Sequence, residues 1–378
     1  MADTEFDAAI VGAGIAGASF AYTLAPHARV LLLEREPQPG MHSTGRSAAM
    51  FMESYGPPQV RALTRASRAF YTQPPRGFAE VPILGARGAL YVAYGGQQGA
   101  LDTLQSDLAA GGHGVQRIDA AECLRRVPVL REAGLQGGIL ESDAMDVDVH
   151  ALHQGFLRGF KRQGGALWCD AEVTQGNAAG GRWTLELADG RRVRSRTVID
   201  AAGAWADELA RRCGVAPLAI QPRRRSAFTF AAPAGVDVRE WPTVADVDER
   251  WYFKPDAGQL LGSPANADPV PAHDVVPEEI DIATGIAAIE AATTLTIRRP
   301  SRTWAGLRSF APDGELVVGW DATRTAFFWL AGQGGYGIQS AAGTAELAAA
   351  LWLGAPLPVA LRAQGVQVHA LEPGRLQA

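Results

Sequence analysis

Cysteine is scarce. Cys123, Cys169 and Cys213 are the only three in 378 residues, too few and too scattered for a disulfide scaffold or a CxxC metal site. Long apolar runs are missing too: no stretch of 18 apolar residues occurs, so no membrane-spanning helix is expected. Positive charge is not in excess, with 35 Lys and Arg against 40 Asp and Glu and a formal charge of −5. That balance argues against nucleic acid or an anionic membrane as the main partner. Met1-Ala2-Asp3-Thr4-Glu5 has neither a basic region nor a cleavable apolar stretch, so no secretory signal is expected. The expectation is a soluble, cytoplasmic protein with reduced thiols. Glycine, by contrast, is abundant at 43 residues, above the usual share of about 7%. Such an excess suits tight turns and close backbone approach to a ligand. Apolar residues at 47% and charged residues at 20% exclude disorder. The length allows two to three domains at about 150 residues each.

Phe6-Asp7-Ala8-Ala9-Ile10-Val11 reads as a buried strand, followed by Gly12-Ala13-Gly14-Ile15-Ala16-Gly17, a helix ending before Pro26, and the strand Val30-Leu31-Leu32-Leu33. Strand, glycine turn, helix and strand make a βαβ unit with a right-handed crossover. In its G-x-G-x-x-G motif, Gly12 permits the tight turn, Gly14 lets a pyrophosphate reach the backbone, and Gly17 lets helix and strand pack closely. The helix N-terminus favours the diphosphate charge. Glu34, at the end of the second strand, would accept hydrogen bonds from ribose hydroxyls. Further along, helices are expected over 59–71, 119–126, 148–163, 281–293 and 338–353. Strands are expected at 89–94, 183–187, 197–201, 226–230, 251–253, 259–262 and 327–331.

Dinucleotide motifs of this kind serve both NAD and FAD, and three later segments favour FAD. His42-Ser43-Thr44-Gly45-Arg46-Ser47-Ala48-Ala49 offers hydroxyl and backbone donors after the ribose-binding strand. Val198 to Ala201 is a strand running into Ala202-Gly203, small enough for a flat ligand to pass. Gly334-Gly335-Tyr336-Gly337 opens another helix, whose dipole would stabilise negative charge on a reduced flavin. None of the cysteines stands in a flavin-attachment context, so noncovalent FAD is expected.

Taken with Gln221-Pro222-Arg223-Arg224-Arg225-Ser226, Leu261-Gly262-Ser263-Pro264-Ala265-Asn266, Thr303-Trp304-Ala305-Gly306-Leu307-Arg308 and Gly334 to Gln339, these segments make the chain similar to the D-amino-acid oxidase superfamily of FAD enzymes. Within it the chain most resembles D-amino-acid dehydrogenases of the D-arginine dehydrogenase type. The resemblance implies a Rossmann-like, discontinuous FAD-binding domain (1–82, 143–218 and 303–378). A β-sheet-rich substrate domain (83–142 and 219–302) would be inserted into it, giving an α/β plus α+β fold. It adds Ala16, Arg35, Met50, Val173, Ile338 and Gln339 to the cofactor contacts. Two arginines can hold a carboxylate through bidentate, charge-assisted bonds, and the resemblance assigns that clamp to Arg225 and Arg308. Left to the residues alone, Arg225 could equally close a solvated basic run with Arg223 and Arg224. Tyr55 and Tyr252 match tyrosines that face the substrate, and the Gly335 carbonyl would accept from the substrate amine. Residues 50–58 are expected to form a mobile lid.

The implied reaction takes a D-amino acid to an imino acid, hydrolysed to a 2-oxo acid and ammonia, with a quinone or oxygen as electron acceptor. A secondary-amine oxidase or dehydrogenase acting on sarcosine, glycine or proline is one alternative on this scaffold; a flavin-binding protein without turnover is another, against which the presence of Arg225, Arg308 and Tyr252 speaks. Relatives that handle cationic substrates carry an acid where this chain has Ala89, and a His where it has Met50. Both changes make the pocket more apolar, so neutral, apolar or aromatic side chains are expected. His150 and His153 share one helix face, but with no third ligand in the pattern they read as a helix surface and not a metal site.

Overall fold

The computed structural model describes residues 5–110 and 114–376. Its eight-stranded sheet is built on five parallel strands. Glu5–Val11 lies at the centre, between Arg192–Asp200 on one side and Val30–Leu33 on the other. Phe327–Ala331 and Ala166–Trp168 extend the parallel set at its two ends. Val30–Leu33 and Phe327–Ala331 are buried at every position, as strands covered on both faces must be. The helices Ile15–Leu24, Val149–Arg162 and Gly337–Leu353 pack one face around Phe20, Phe156, Leu157 and Leu347. Trp183, Trp329 and Leu209 fill the other.

Close helix packing here depends on glycine. A Cβ at Gly17 would lie 1.9 Å from the Gly12 carbonyl oxygen, and one at Gly12, whose φ is +103°, would lie 2.4 Å from the Ala201 oxygen. The turn and the crossing therefore admit no side chain at either place.

A second sheet of nine strands stands apart from the first. Its longest pairing joins Gln221–Ala231 to Arg302–Phe310 over nine positions. Arg302–Phe310 is thus a strand of this second sheet, its backbone hydrogen bonds going to Gln221–Ala231. Gln98–Ala110 and Gly137–Glu141 are elements the sequence left unassigned. The strand Gly137–Glu141 forms despite its two leading glycines because they are needed there; a Cβ at Gly138 would sit 2.6 Å from the Tyr91 oxygen. Met50–Phe51, Met145–Val147 and Leu84–Ala86 form a separate small sheet with Met145–Val147 in the middle. Among the described residues no helix is long and apolar enough to cross a membrane.

Candidate active site

Two adjoining cavities run from the glycine turn to the second sheet. The first, of about 160 Å³, is bounded by Gly12, Gly14, Ala16, Glu34, Arg35, Ser43, Thr44, Val173, Ala202 and Gly203. The second, of about 250 Å³, is bounded by Arg46 to Met50, Tyr55, Ala89, Arg225, Tyr252, Arg308, Gly335 and Gly337 to Gln339. Ile15, Ser43, Thr44, Leu307, Gln333 and Gly334 border both, so the two form one elongated groove.

The groove fits FAD on its own evidence. Glu34 is buried at the strand tip, its Oε2 accepting from the Ala13 N–H at 3.0 Å and its Oε1 from the Glu36 N–H at 3.0 Å. Burial raises its pKa despite those bonds. Thr44 Oγ1 accepts from the Ile15 N–H at 3.0 Å, bringing the hydroxyl-rich segment onto the helix N-terminus. Gln333 Nε2 is buried on the shared wall and has no partner among the described residues, a donor held for a ligand.

Three expected cofactor residues do not border either cavity. Gly17 lies under the turn, Gly45 donates to the Gly40 carbonyl at 2.8 Å where a Cβ would clash with that oxygen, and Tyr336 packs edge-on against Tyr55 at 5.1 Å. Arg46 reaches the wall, but its guanidinium is engaged by Asp274 at 2.5 Å and by the Val275 and Ala305 carbonyls.

Strand alternation sorts the three consecutive arginines. Arg224 turns to one face, into carboxylates of Asp281, Glu278 and Asp268. Arg225 turns to the other, where it lines the cavity and its Nε donates to the Asn266 carbonyl at 2.5 Å. Register pairs Arg225 with Gly306 and Arg223 with Arg308, so Arg225 and Arg308 are diagonal neighbours with a glycine between them.

Burial, and then the nearby Arg308 charge, lower the Arg225 pKa. For Arg308 burial also opposes the charge, but the Tyr55, Tyr336 and Tyr252 oxygens more than offset it. Arg308 Nη2 donates to Tyr55 Oη at 2.9 Å, and its guanidinium lies over the Phe310 and Tyr336 rings at 5.4 and 5.9 Å. Neither Arg225 nor Arg308 has an ion-pair partner among the described residues. Two cations facing one cavity, with Glu249 the wall's carboxylate but bonded to neither of them, make a site that can take an anion.

Gly335 lies against the clamp: a Cβ there would be 1.8 Å from Arg308 Nη2. The segment around Tyr55 is tethered, the Tyr55 carbonyl accepting from Gln339 Nε2 at 3.1 Å. The sequence reading missed Tyr91, Thr243, Glu249 and Lys254, all on the cavity wall. Alternation from Tyr252 could have found Lys254. With that lysine present the wall is less apolar than Ala89 and Met50 alone suggested.

His153 corrects another expectation. It is 4% exposed, far from a helix surface, and its Nε2 lies 2.8 Å from the Ala13 carbonyl oxygen of the glycine turn. No group of three metal-ligating side chains occurs among the described residues.

The family described as DAO, FAD dependent oxidoreductase, matches residues 7–351. The chain belongs to this family. An L-2-hydroxyglutarate dehydrogenase of Salmonella houtenae is 29% identical over 238 residues, covering 60% of this chain and 54% of that protein. The chain thus spans about half the length of the curated relatives it matches. Among solved structures, glycine oxidase from Geobacillus kaustophilus gives a TM-score of 0.82 at 23% identity, covering 93% of this chain and 95% of the other. L-proline dehydrogenase from P. horikoshii gives 0.80 at 19%, covering 99% and 98%. At these identities the two structures speak for the fold alone. FAD is the family's cofactor and the groove accommodates it. None of the three relatives is a D-amino-acid dehydrogenase, so the likeness to the D-arginine type rests on the residues that suggested it.

Proposed function

We propose that this flavoenzyme oxidises the α-carbon of D-amino acids, giving imino acids that water hydrolyses to 2-oxo acids and ammonia. One observation carries the reading: Arg225 and Arg308 face one cavity beside the dinucleotide groove and neither forms an ion pair there among the described residues, the Glu249 carboxylate on the same wall acting on Arg225 only weakly. A substrate carboxylate supplies that counter-ion and is fixed in orientation by two forked donors. Tyr55, already bonded to Arg308, and Tyr252 close over the same anion. In this reading the Gly335 carbonyl, on the cavity wall beside Arg308, accepts from the substrate amine and holds it on the groove side of the clamp.

FAD, when bound, supplies the two-electron acceptor for the hydride leaving Cα. The protein's part is alignment and exclusion of water. No side chain is assigned as general base, because an amine that has lost its proton to solvent needs none. The residues 1–82, 143–218 and 311–376 form the cofactor side and the intervening segments the substrate side in this reading.

A second reading has a specific observation behind it. The curated relative at 29% identity is a 2-hydroxy-acid dehydrogenase, and a hydroxy acid would use the same carboxylate clamp. Anaerobic bleaching of the flavin's visible absorbance separates the two. Paired D- and L-amino acids, sarcosine, proline and 2-hydroxy acids are added in turn to holoenzyme. Bleaching by D-amino acids is the expected result. Bleaching confined to 2-hydroxy acids or secondary amines would overturn the reading and keep the clamp.

A further inference from the structure

The sheet beneath the substrate cavity can be read row by row. Ala89 pairs with Glu141 on one side and with Thr243 on the other. Val244 pairs with Phe253, so one step further Thr243 stands beside Lys254. Side chains directly across neighbouring strands share a face. The row is therefore Glu141, Ala89, Thr243, Lys254, of which the last three line the cavity.

Its two ends are different. Glu141 is withdrawn under Ser54, whose Oγ donates to its Oε2 at 2.6 Å, and burial raises its pKa towards the neutral form. Lys254 is 6% exposed, and its ammonium donates to Asp146 Oδ1 at 2.7 Å and lies 4.0 Å from Met50 Sδ. The other oxygen of Asp146 accepts from Arg87 Nε at 2.7 Å. One carboxylate thus serves two cations and leaves one positive charge over. Arg87 is engaged on the outer side by the Arg239 and Trp241 carbonyls, and it borders a surface depression together with Asp146 and Asp256. Within this cluster Lys254 is the member that also borders the inner cavity.

A buried ammonium on the wall of a low-dielectric cavity attracts an anion more strongly than it would in water. Ala89 leaves the row short of bulk in front of it. Thr243 brings a hydroxyl now turned on Met50 Sδ at 3.2 Å, a weak acceptor that an oxygen would replace. Resting on the reading in which Arg225 and Arg308 hold the α-carboxylate, we propose that Lys254, with Thr243 beside it, binds the side-chain carboxylate of an acidic substrate. D-amino acids of the aspartate and glutamate type are then preferred over apolar ones. The strand Gln259–Ser263 separates the strands of Arg225 and Lys254, and the register sets Lys254 across Leu261 from Thr229, so the two residues stand about 10 Å apart across the sheet and about 13 Å along it. Two long cationic side chains with a short dicarboxylate between them bridge such a gap.

The test is anaerobic flavin reduction of the holoenzyme by D-glutamate, D-aspartate, D-leucine and D-phenylalanine, in wild type, Lys254→Met and Ala89→Glu. In wild type kcat/KM for D-glutamate exceeds that for D-leucine by about tenfold or more, and Lys254→Met lowers this ratio about 100-fold. Ala89→Glu puts a carboxylate into the row without touching the lysine. It lowers the ratio too, and it decides the matter if Lys254→Met does not fold. Preference for D-leucine or D-phenylalanine in wild type, or an unchanged ratio in the variants, overturns the Lys254 subsite and leaves the D-amino-acid reading standing. If no D-amino acid reduces the flavin, that reading falls and the subsite with it.

Discussion

At position 335 the backbone comes so close to the Arg308 guanidinium that a methyl group would overlap it, at 1.8 Å from Nη2. Gly335→Ala is therefore expected to push Arg308 off the cavity and off Tyr55 Oη. Losing a charge-assisted bond of about 1.5–3 kcal/mol lowers kcat/KM for the amino-acid substrate about 10- to 100-fold. Steady-state kinetics on the FAD-loaded variant checks this, and wild-type values would remove Arg308 from the clamp. Glu34 gives a second expectation. Its folded pKa is raised by burial, so the native state binds the proton more readily than the unfolded chain. Stability from this group falls as pH rises from about 4.5 through the raised native value, and the charge is a net cost at neutral pH. Glu34→Gln should flatten this fall of the FAD-free Tm with rising pH, although its amide can accept from only one of the two backbone N–H groups, and in the proposed reading it weakens FAD binding because the ribose loses a charged acceptor. Calorimetry and a flavin titration read the two effects separately.

Among the elements, the helix Val149–Arg162 is locked to the glycine turn by His153, whose Nε2 meets the Ala13 oxygen. Burial depresses the imidazole pKa below its ordinary value. The unfolded chain then takes up a proton first, so stability is complete above about 6.5 and is lost as pH falls from there to the native pKa. Wild-type Tm should drop more between pH 7 and pH 5 than that of His153→Gln, which keeps a donor for Ala13. The difference is at most about 1.4 kcal/mol per pH unit within that window; parallel curves would refute it. The same helix shows what a sequence discloses and what it withholds. Its span and the βαβ glycines are local patterns, so helix, turn and Glu34 were legible from spacing alone. The burial of His153 depends on a turn 140 positions away, which no local pattern contains. Arg225 illustrates the middle case: alternation separates it from Arg224, but only the pairing of Gln221–Ala231 with Arg302–Phe310 puts Arg308 on its diagonal. Lys254 was hidden differently, as a charged residue in a strand read for its aromatics.

Over the whole molecule, the segment 43–50 joins the two sheets. Ser43 Oγ donates to the Leu307 carbonyl at 2.6 Å, Trp304 Nε1 donates to the Arg46 carbonyl at 3.0 Å, and Arg46 itself grips Asp274, Val275 and Ala305. The same segment lines both cavities, so in the proposed reading cofactor binding and the seating of the second sheet act on one set of residues. A ligand that binds only the native state adds about 2.7 kcal/mol at a free concentration 100 times its Kd. Through segment 43–50 that increment reaches both sheets, and holoenzyme should unfold in one transition at a Tm a few degrees above the FAD-free protein. Arg46→Ala cuts the grip on Asp274, Val275 and Ala305 while leaving Gly12, Gly14 and Glu34 intact. FAD should still bind, but it should stabilise the cofactor side more than the substrate sheet, broadening or splitting the transition. Scanning calorimetry with and without added FAD distinguishes the cases. A single sharp transition in Arg46→Ala, shifted by FAD as far as in wild type, would mean that the sheets are coupled through their packing and not through this segment.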